Sequence, residues 1–357
     1  MRIASLHVGH DASASFYDGS SVRYFLEERY SHVKHDQRYD YCLKKLFNLN
    51  IKFDLLVISS FDNSVLNSLT DNSQFKKFLS DYNERWGEYP RFIFDHSHHR
   101  HHSSLAFYNS GFDKSLVIVV DGSGQNEGSL RECESVYIAE YPNNFTPIYK
   151  NYLITDHSNY EKDLEKLKKK YPGCSITARS KIGISAMYGS CASHFGESDL
   201  SAGKVMGLQS YGKEESSHFI LDEIYVDDSD FYVDYNLIRV YNKNIPTTNK
   251  VTKENFKIYS DYARTLQVQA ELMMESLIKK YVEKTTIKNV CISGGYGMNI
   301  ISNYKFIKSF PDINFYNEPL STDCGISLGS CFFYYRDKTS DMTVKPIASP
   351  YFHGMDS

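Results

Sequence analysis

Apolar positions along this chain follow two rhythms, one of strands broken at aspartate turns and one of helices. Ile3–Val8 reads as a strand, followed by the turn Gly9-His10-Asp11 and a second strand through Ala12–Tyr17. Asp18-Gly19 is a strong hairpin signal, and Val22–Leu26 completes a strand–hairpin–strand unit. A comparable unit follows: the β-branched run Leu116–Val120, the polar glycine turn Asp121-Gly122-Ser123-Gly124, and the strand Val136–Tyr141. Two strand units, each turning at an aspartate, predict a duplicated α/β fold whose halves face each other across a cleft.

The helical rhythm comes later. A less regular region spans roughly 151–260, with Leu164 and Leu167 at helical spacing inside Glu161–Lys170 and Pro172-Gly173 to end it. Lys166, Lys168, Lys169 and Lys170 are read as a solvated helix face. Asp261–Glu283 is the best long helix; Ala263, Leu266, Ala270, Met273, Leu277 and Tyr281 form its apolar stripe, which is core rather than a cofactor surface. Asn289–Ser293 is a short buried strand leading into Gly294-Gly295-Tyr296-Gly297-Met298-Asn299. Strand, glycine turn and helix start form a setting for phosphate, because free backbone N–H groups at a helix N-terminus attract anions. Asn299 and Asn303, four apart, either aim amides at a ribose or base or cap the helix.

Composition narrows the class. At 357 residues, 41% apolar and 24% charged, the chain is long enough for two lobes and is not of disordered type. The net charge of −4 supplies no global attraction to nucleic acid, although one basic groove suffices for it. The 29 tyrosines, with many Lys, Asn and Ile, are read as an AT-rich coding bias. Seven cysteines, widely spread and without a CxxC pair, argue against a disulfide framework or a cysteine-based zinc site and fit a reducing cytoplasm. The first residues turn polar too soon for a signal peptide, and no apolar run approaches the ~20 residues of a membrane span. The expected location is cytoplasmic.

The candidate chemistry centres on His98-His99-Arg100-His101-His102. His98 and His102, four residues apart, share one helix face and can hold one metal ion, with Asp323 as a third ligand from a distant loop. Two histidines and a carboxylate leave positions free for substrate; the spacing alone leaves zinc, manganese and iron open. Taken alone, the cluster is equally a solvated histidine-rich helix end. His99 and His101 point to other faces and are expected in the second shell or in solvent.

These pieces, in this order, resemble the antibiotic and nodulation-factor O-carbamoyltransferase family. The resemblance is carried by His10-Asp11-Ala12-Ser13-Ala14 with Glu27-Glu28-Arg29 and Lys34-His35-Asp36, and by His98–His102 continuing through Ser103 to Phe112. Asp121-Gly122-Ser123-Gly124, Gly203-Lys204-Val205-Met206-Gly207-Leu208 with Tyr211-Gly212, Ser293-Gly294-Gly295 with Asn299 and Asn303, and Thr322-Asp323-Cys324-Gly325 complete it. It implies a duplicated ribonuclease-H-like core of the actin, hexokinase and Hsp70 superfamily. A first lobe over 1–113 would carry the HxxxH helix, and a second over 114–357 a helical insertion at about 151–260. It further implies a mononuclear metal, iron first, on His98, His102 and Asp323. Carbamoyl phosphate and ATP, the latter with Mg, would react through carbamoyl-AMP to carbamoylate a hydroxyl.

Within that frame His10 is expected as general base or oxyanion donor, Asp11 as a carboxylate facing phosphate or its cation, and Lys34 as a neutralising charge. Asp121, Gly122, Gly124, Lys204, Gly207, Gly294, Gly295, Asn299 and Asn303 are expected to hold the nucleotide. There are departures: Ala202 stands where the family often has Glu, and Tyr296 replaces a smaller residue and would alter how a base packs. The family continues past Ser349-Pro350-Tyr351-Phe352 into a second domain that makes carbamoyl-AMP, so the chain corresponds to the metal-binding transferase domain. Self-sufficiency is favoured over a separate carbamoyl-AMP-forming partner, which would dock near Pro350–Phe352. The acceptor is a sugar or other small molecule, or a hydroxymethylated pyrimidine of DNA if the composition reflects a viral origin. The alternatives are a kinase, a tRNA threonylcarbamoyl-transfer-like enzyme, and a nucleotide-binding subunit without its own chemistry.

Overall fold

The structure is a computed structural model that describes residues 1–60, 69–180, 182–213 and 250–344, and the backbone of a short strand pair, β11 (Val226–Asp227) and β12 (Asp230–Phe231). Two sheets organise it. The first contains β1 (Ile3–His7), β2 (Ser13–Tyr17), β3 (Val22–Leu26), β4 (Leu55–Ser59) and β5 (Phe92–Asp95) in the order β3-β2-β1-β4-β5. The second contains β6 (Lys114–Val120), β7 (Asn126–Glu127), β8 (Leu130–Glu140), β9 (Asn144–Ile154), β10 (Ser175–Arg179), β13 (Asn289–Ser293) and β14 (Asn314–Asn317). Its order is β10-β9-β8-β6-β13-β14, with β7 pairing β8.

The duplication is explicit in the pairing. In the first sheet β1 is antiparallel to β2, β2 to β3, and β4 and β5 run parallel on the other side. In the second β6 is antiparallel to β8, β8 to β9, and β13 and β14 run parallel on the other side. Hairpins need only short turns, whereas the parallel strands arrive by crossovers long enough to hold helices. β1 and β6 therefore occupy equivalent central places, and the turns after them carry Asp11 and Asp121.

Strand alternation sorts the side chains into layers. Ala4 and Leu6 of β1 with Leu56 and Ile58 of β4 meet α2 (Asp40–Asn48) and α3 (Ser73–Trp86), the short α1 (Glu28–Ser31) lying outside. Ile3 and Val57 face the other way, towards α4 (His98–Ser110) and α10 (Ile326–Thr339), which also receive Val117 and Val119 of β6. Leu116, Ile118 and Val120 take the remaining face, under α6 (Ala186–His194) and α8 (Phe256–Thr285). α5 (Tyr160–Lys170), α7 (Ala202–Leu208) and α9 (Ile300–Ser309) complete the helices used below.

The central layer is packed through small polar residues. Ser5 and Ser330 hydroxyls meet at 2.5 Å, and Ser327 lies 2.8 Å from both Ser13 and Ser15. Ser104 of α4 donates to the Gly329 carbonyl at 2.6 Å, and a Cβ on Gly329 would sit 2.1 Å from the His101 carbonyl oxygen. Helices and strand approach this closely only without larger side chains.

The region 151–260 is not solely helical: it holds the end of β9 and the sheet strand β10 as well as α5, α6 and α7. A division at residue 113 separates the two sheets, and α10, from the later segment, packs on β1, β2 and β4 of the first. All seven cysteines are free. Among the described residues no helix is long and apolar enough to cross a membrane. The expected docking surface at Pro350–Phe352 lies outside the described residues.

Candidate metal centre

α4 begins at His98, so His98 and His102 do fall one turn apart on one face. Alternation along β6 sends Val117 and Val119 towards α4, and Asp121, next in that series, follows them. Asp323 arrives from the short turn Asp323–Gly325 before α10. His98 Nε2 lies 3.3 Å from Asp323 Oδ1, 3.4 Å from Asp121 Oδ2 and 3.2 Å from His102 Nε2; His102 Nε2 is 3.6 Å from Asp323 Oδ1. All four residues are buried, and the four donor atoms lie within 4.8 Å of one another.

That spacing is what one ion requires. Bonds of about 2.1 Å to nitrogen and oxygen place neighbouring donors about 3.0–3.5 Å apart. Two Nε2 atoms facing each other with two carboxylates alongside call for a positive charge between them. Burial opposes charge on the His98 ring, yet Asp323 and Asp121 push it up to about 10. Burial likewise opposes ionisation of Asp323 and Asp121, and the histidines overcome it, holding both carboxyls well below the usual range. The donor set of two imidazoles and two carboxylates fits a transition-metal ion. Asp121, expected with the nucleotide, lies among the four candidate metal donors.

The second oxygen of Asp323 faces a different group. His10 Nε2 is 3.3 Å from Asp323 Oδ2, and His10 Nδ1 is 3.3 Å from Asp11 Oδ2. Burial lowers the His10 pKa, but Asp323 and Asp11 outweigh it and bring it to about 9. With a side chain 31% exposed, His10 opens the centre to solvent, whereas His98 and His102 are sealed. Asp11 sits at φ +58°, held by His35 Nδ1 at 2.7 Å, and the His35 amide donates to Glu28 Oε2 at 2.9 Å. Glu27 is spent on folding: its carboxylate accepts from the amides of Tyr41 and Cys42 at the start of α2. Lys34 is exposed.

Residues expected at a nucleotide divide sharply. Gly294 has φ +86°, and a Cβ there would lie 2.4 Å from the Val120 carbonyl oxygen, so this turn must be glycine to cross β6. Gly295 donates its N–H to Asp121 Oδ1 at 2.8 Å, which ties the two turns together. Gly122 and Gly207 border open space, whereas a Cβ on Gly124 would strike His99 Nε2 at 2.5 Å. Asn299 caps α9, accepting from the Ser302 amide, and donates to Tyr188 and Gln267 in the interior. Asn303 donates to the Gly297 carbonyl, and Tyr296 is a fully buried core residue bonded to Ser302, not a base platform. Lys204 pairs with Glu197 at the surface.

His99 and His101 are both fully buried and not in solvent. His99 Nδ1 bonds Ser135 Oγ at 2.9 Å, beside Glu132, which pairs with the buried Lys150. His101 bonds Asp95 at 3.1 Å, and Asp95 also accepts from Arg100, Tyr334 and the Ser97 amide. These contacts fix the start of α4 on both flanks. Sequence reasoning passed over His7, at the end of β1 and 3.9 Å from Asp323 Oδ2. Its signal was a polar residue closing an otherwise buried strand.

The family described as Carbamoyltransferase N-terminus matches residues 88–332, a span that holds all four donors. An uncharacterised Synechocystis protein is 22% identical over 95% of this chain and 58% of its own length. Nodulation protein NolNO of Sinorhizobium fredii is 24% identical over 66% of this chain and 30% of its own length. Nodulation protein NolO of Bradyrhizobium diazoefficiens is 25% identical over 66% and 37%. The chain thus spans between about a third and somewhat over half of these relatives. Among solved structures, HypF of T. kodakarensis gives a TM-score of 0.59 at 11% identity, covering 94% of this chain and 47% of that one. A full-length HypF in its phosphate- and nucleotide-bound form gives 0.56 at 14%, with the same coverage. With the repeated pairing of the two sheets, this likeness establishes the duplicated actin-like fold.

Proposed function

Because this chain belongs to the carbamoyltransferase N-terminus family, we propose that its buried donor group is the transfer centre of an O-carbamoyltransferase. The observation that carries the reading is the convergence of His98, His102, Asp121 and Asp323 within the matched span. Those four would hold the ion, iron by the family resemblance. Such an ion supplies Lewis acidity towards a carbonyl or phosphoryl oxygen.

The protein's own residues do the rest. Each His10 ring nitrogen faces a carboxylate oxygen, which makes both nitrogens donors. Held as a cation between those carboxylates, His10, the partly exposed histidine at the centre, offers its positive charge to the carbamoyl oxygen as that oxygen becomes anionic. Asp11, itself oriented by His35, holds the ring in place. In the transfer the acceptor oxygen bonds the carbamoyl carbon, and the bond from that carbon to the phosphate oxygen of the leaving AMP breaks. The hydroxyl proton passes to solvent or to the leaving phosphate. The Gly294-Gly295 turn, bound to Asp121 through the Gly295 amide, lies beside the donors, where the leaving phosphate would sit. Carbamoyl phosphate and ATP are the proposed sources of the carbamoyl group, with carbamoyl-AMP as the species consumed. The acceptor is a small-molecule hydroxyl or a hydroxymethylated pyrimidine of DNA.

Purified protein loaded with iron, given carbamoyl phosphate, ATP and a panel of both acceptor classes, is expected to add one carbamoyl mass to an acceptor. A His98→Ala, His102→Ala double variant is expected to lose both bound metal and product. Metal content unchanged in that variant would refute the centre; product that forms only with cell extract would show that a partner supplies carbamoyl-AMP.

A further inference from the structure

His7 is fully buried, and among the described residues neither of its ring nitrogens has a hydrogen-bond partner. An imidazole without partners in a dry interior is costly, so its position calls for a purpose. Three observations give one. β1 is a central strand, paired at His7 to Ser13 on one side and Ser59 on the other, so its backbone cannot drift. Alternation with Ile3 and Ser5 turns the ring towards α4 and α10, where Ser5 meets Ser330. Asp323 Oδ2 lies 3.9 Å from Nε2, about 0.7 Å beyond hydrogen-bonding reach.

Asp323 divides its oxygens. Oδ1 faces His98 and His102, while Oδ2 faces His10 and His7. Of the two histidines on the Oδ2 side, His10 is partly exposed and also engages Asp11, whereas His7 is sealed and has no competing partner. A carboxylate ligand binds best when its second oxygen is held by a donor that fixes its rotation.

We infer that His7 is a positioning residue of the metal centre: its Nε2–H holds Asp323 Oδ2 from the β1 side, so that Oδ1 stays aimed at the His98–His102 pair. This rests on the metal reading above. It requires a small rotation of Asp323 or of the His7 ring, and no change in β1. His7 thereby links the strand of the first sheet to an ion whose donors come from α4, the β6 turn and the α10 turn.

The test uses the full chain and cobalt(II) as the probe. Affinity is measured by chelator competition and the donor field by visible absorption, in wild type, His7→Leu, His7→Gln and His98→Ala. His7→Leu, which keeps bulk and removes the donor, is expected to weaken cobalt binding 10–100-fold and to shift the absorption bands. His7→Gln, which restores an N–H donor, is expected to recover part of both. If His7→Leu does not fold, His7→Met replaces it. Affinity and spectrum of the donorless variant equal to wild type would overturn the role of His7 alone. Copper(II) spin-resonance showing three coupled imidazoles, one lost in His7→Leu, would overturn it by making His7 a ligand. Wild type that binds cobalt no better than His98→Ala would overturn the metal reading itself.

Discussion

Glu134 shows how one side chain sets a pH response. It is buried in β8, where it accepts from Asn151 Nδ2 and from the Ile184 amide. Burial raises its pKa to about 7, and the two hydrogen bonds only partly offset that. The folded protein therefore keeps a proton that the unfolded chain releases near 4.5. Its contribution is fully present below pH 4.5 and is lost as pH rises through 7, by up to about 3 kcal/mol. Urea unfolding across pH 4.5–8 is expected to show this decline, and Glu134→Gln to flatten it. At the same scale, sequence reading found what position alone determines. The His98–His102 spacing was legible because helix geometry fixes it, and Asp323 through its family motif. Asn299 and Asn303 stay open in the sequence between ligand contacts and helix caps, and Lys204 reads as a phosphate contact, because nothing in a sequence says whether a polar atom is already satisfied within the fold. His7 was missed for the converse reason: its lack of partners exists only in three dimensions.

α4 is an element in which almost every residue is buried, so it has little amphipathic signature to read. Its orientation depends on Asp95 at the end of β5, which accepts from Arg100, His101, Tyr334 and the Ser97 amide. Asp95→Ala removes the acceptor shared by the partly exposed Arg100, by His101, by Tyr334 and by the Ser97 amide, and is expected to destabilise the protein by about 1–3 kcal/mol. Chemical denaturation measures this, and a loss below 1 kcal/mol would mean that α4 is held by packing instead. Strands with clear flanking turns were legible: Val22–Leu26 and Asn289–Ser293 match their expected bounds, and Asp261–Glu283 lies within the longer α8. β4 escaped notice because Leu55–Ser59 is buried at every position, which leaves no alternation to distinguish strand from helix. β10 was overlooked inside the region read as helical insertion.

At the scale of the molecule, the donors belong to segments that also carry the core. A metal bound to the folded state and not to the unfolded chain stabilises by about 4 kcal/mol at a thousandfold excess over Kd. Iron or cobalt loading is expected to raise the melting temperature, and a chelator to lower it, with no such shift in the His98→Ala, His102→Ala variant. The duplication was legible from two strand units that each turn at an aspartate. That the second sheet also carries β10 on its edge was not, because sheet order is decided by long-range pairing.

The serine contacts under α10 have a consequence for how the protein is made. Ser5 meets Ser330 across a separation of 325 residues, and Ser13 and Ser15 meet Ser327 across 314 and 312. During synthesis the first sheet and α4 leave the ribosome long before the segment that carries Asp323. A nascent chain that stops short of residue 323 holds His98, His102 and Asp121 but lacks Asp323, so on the metal reading proposed above the donor set is completed only when α10 docks against β1 and β2. Ribosome-bound chains stalled short of residue 323 are then expected to hold metal more weakly than the finished chain, which would make tight binding a mark of completed folding instead of a nucleus for it.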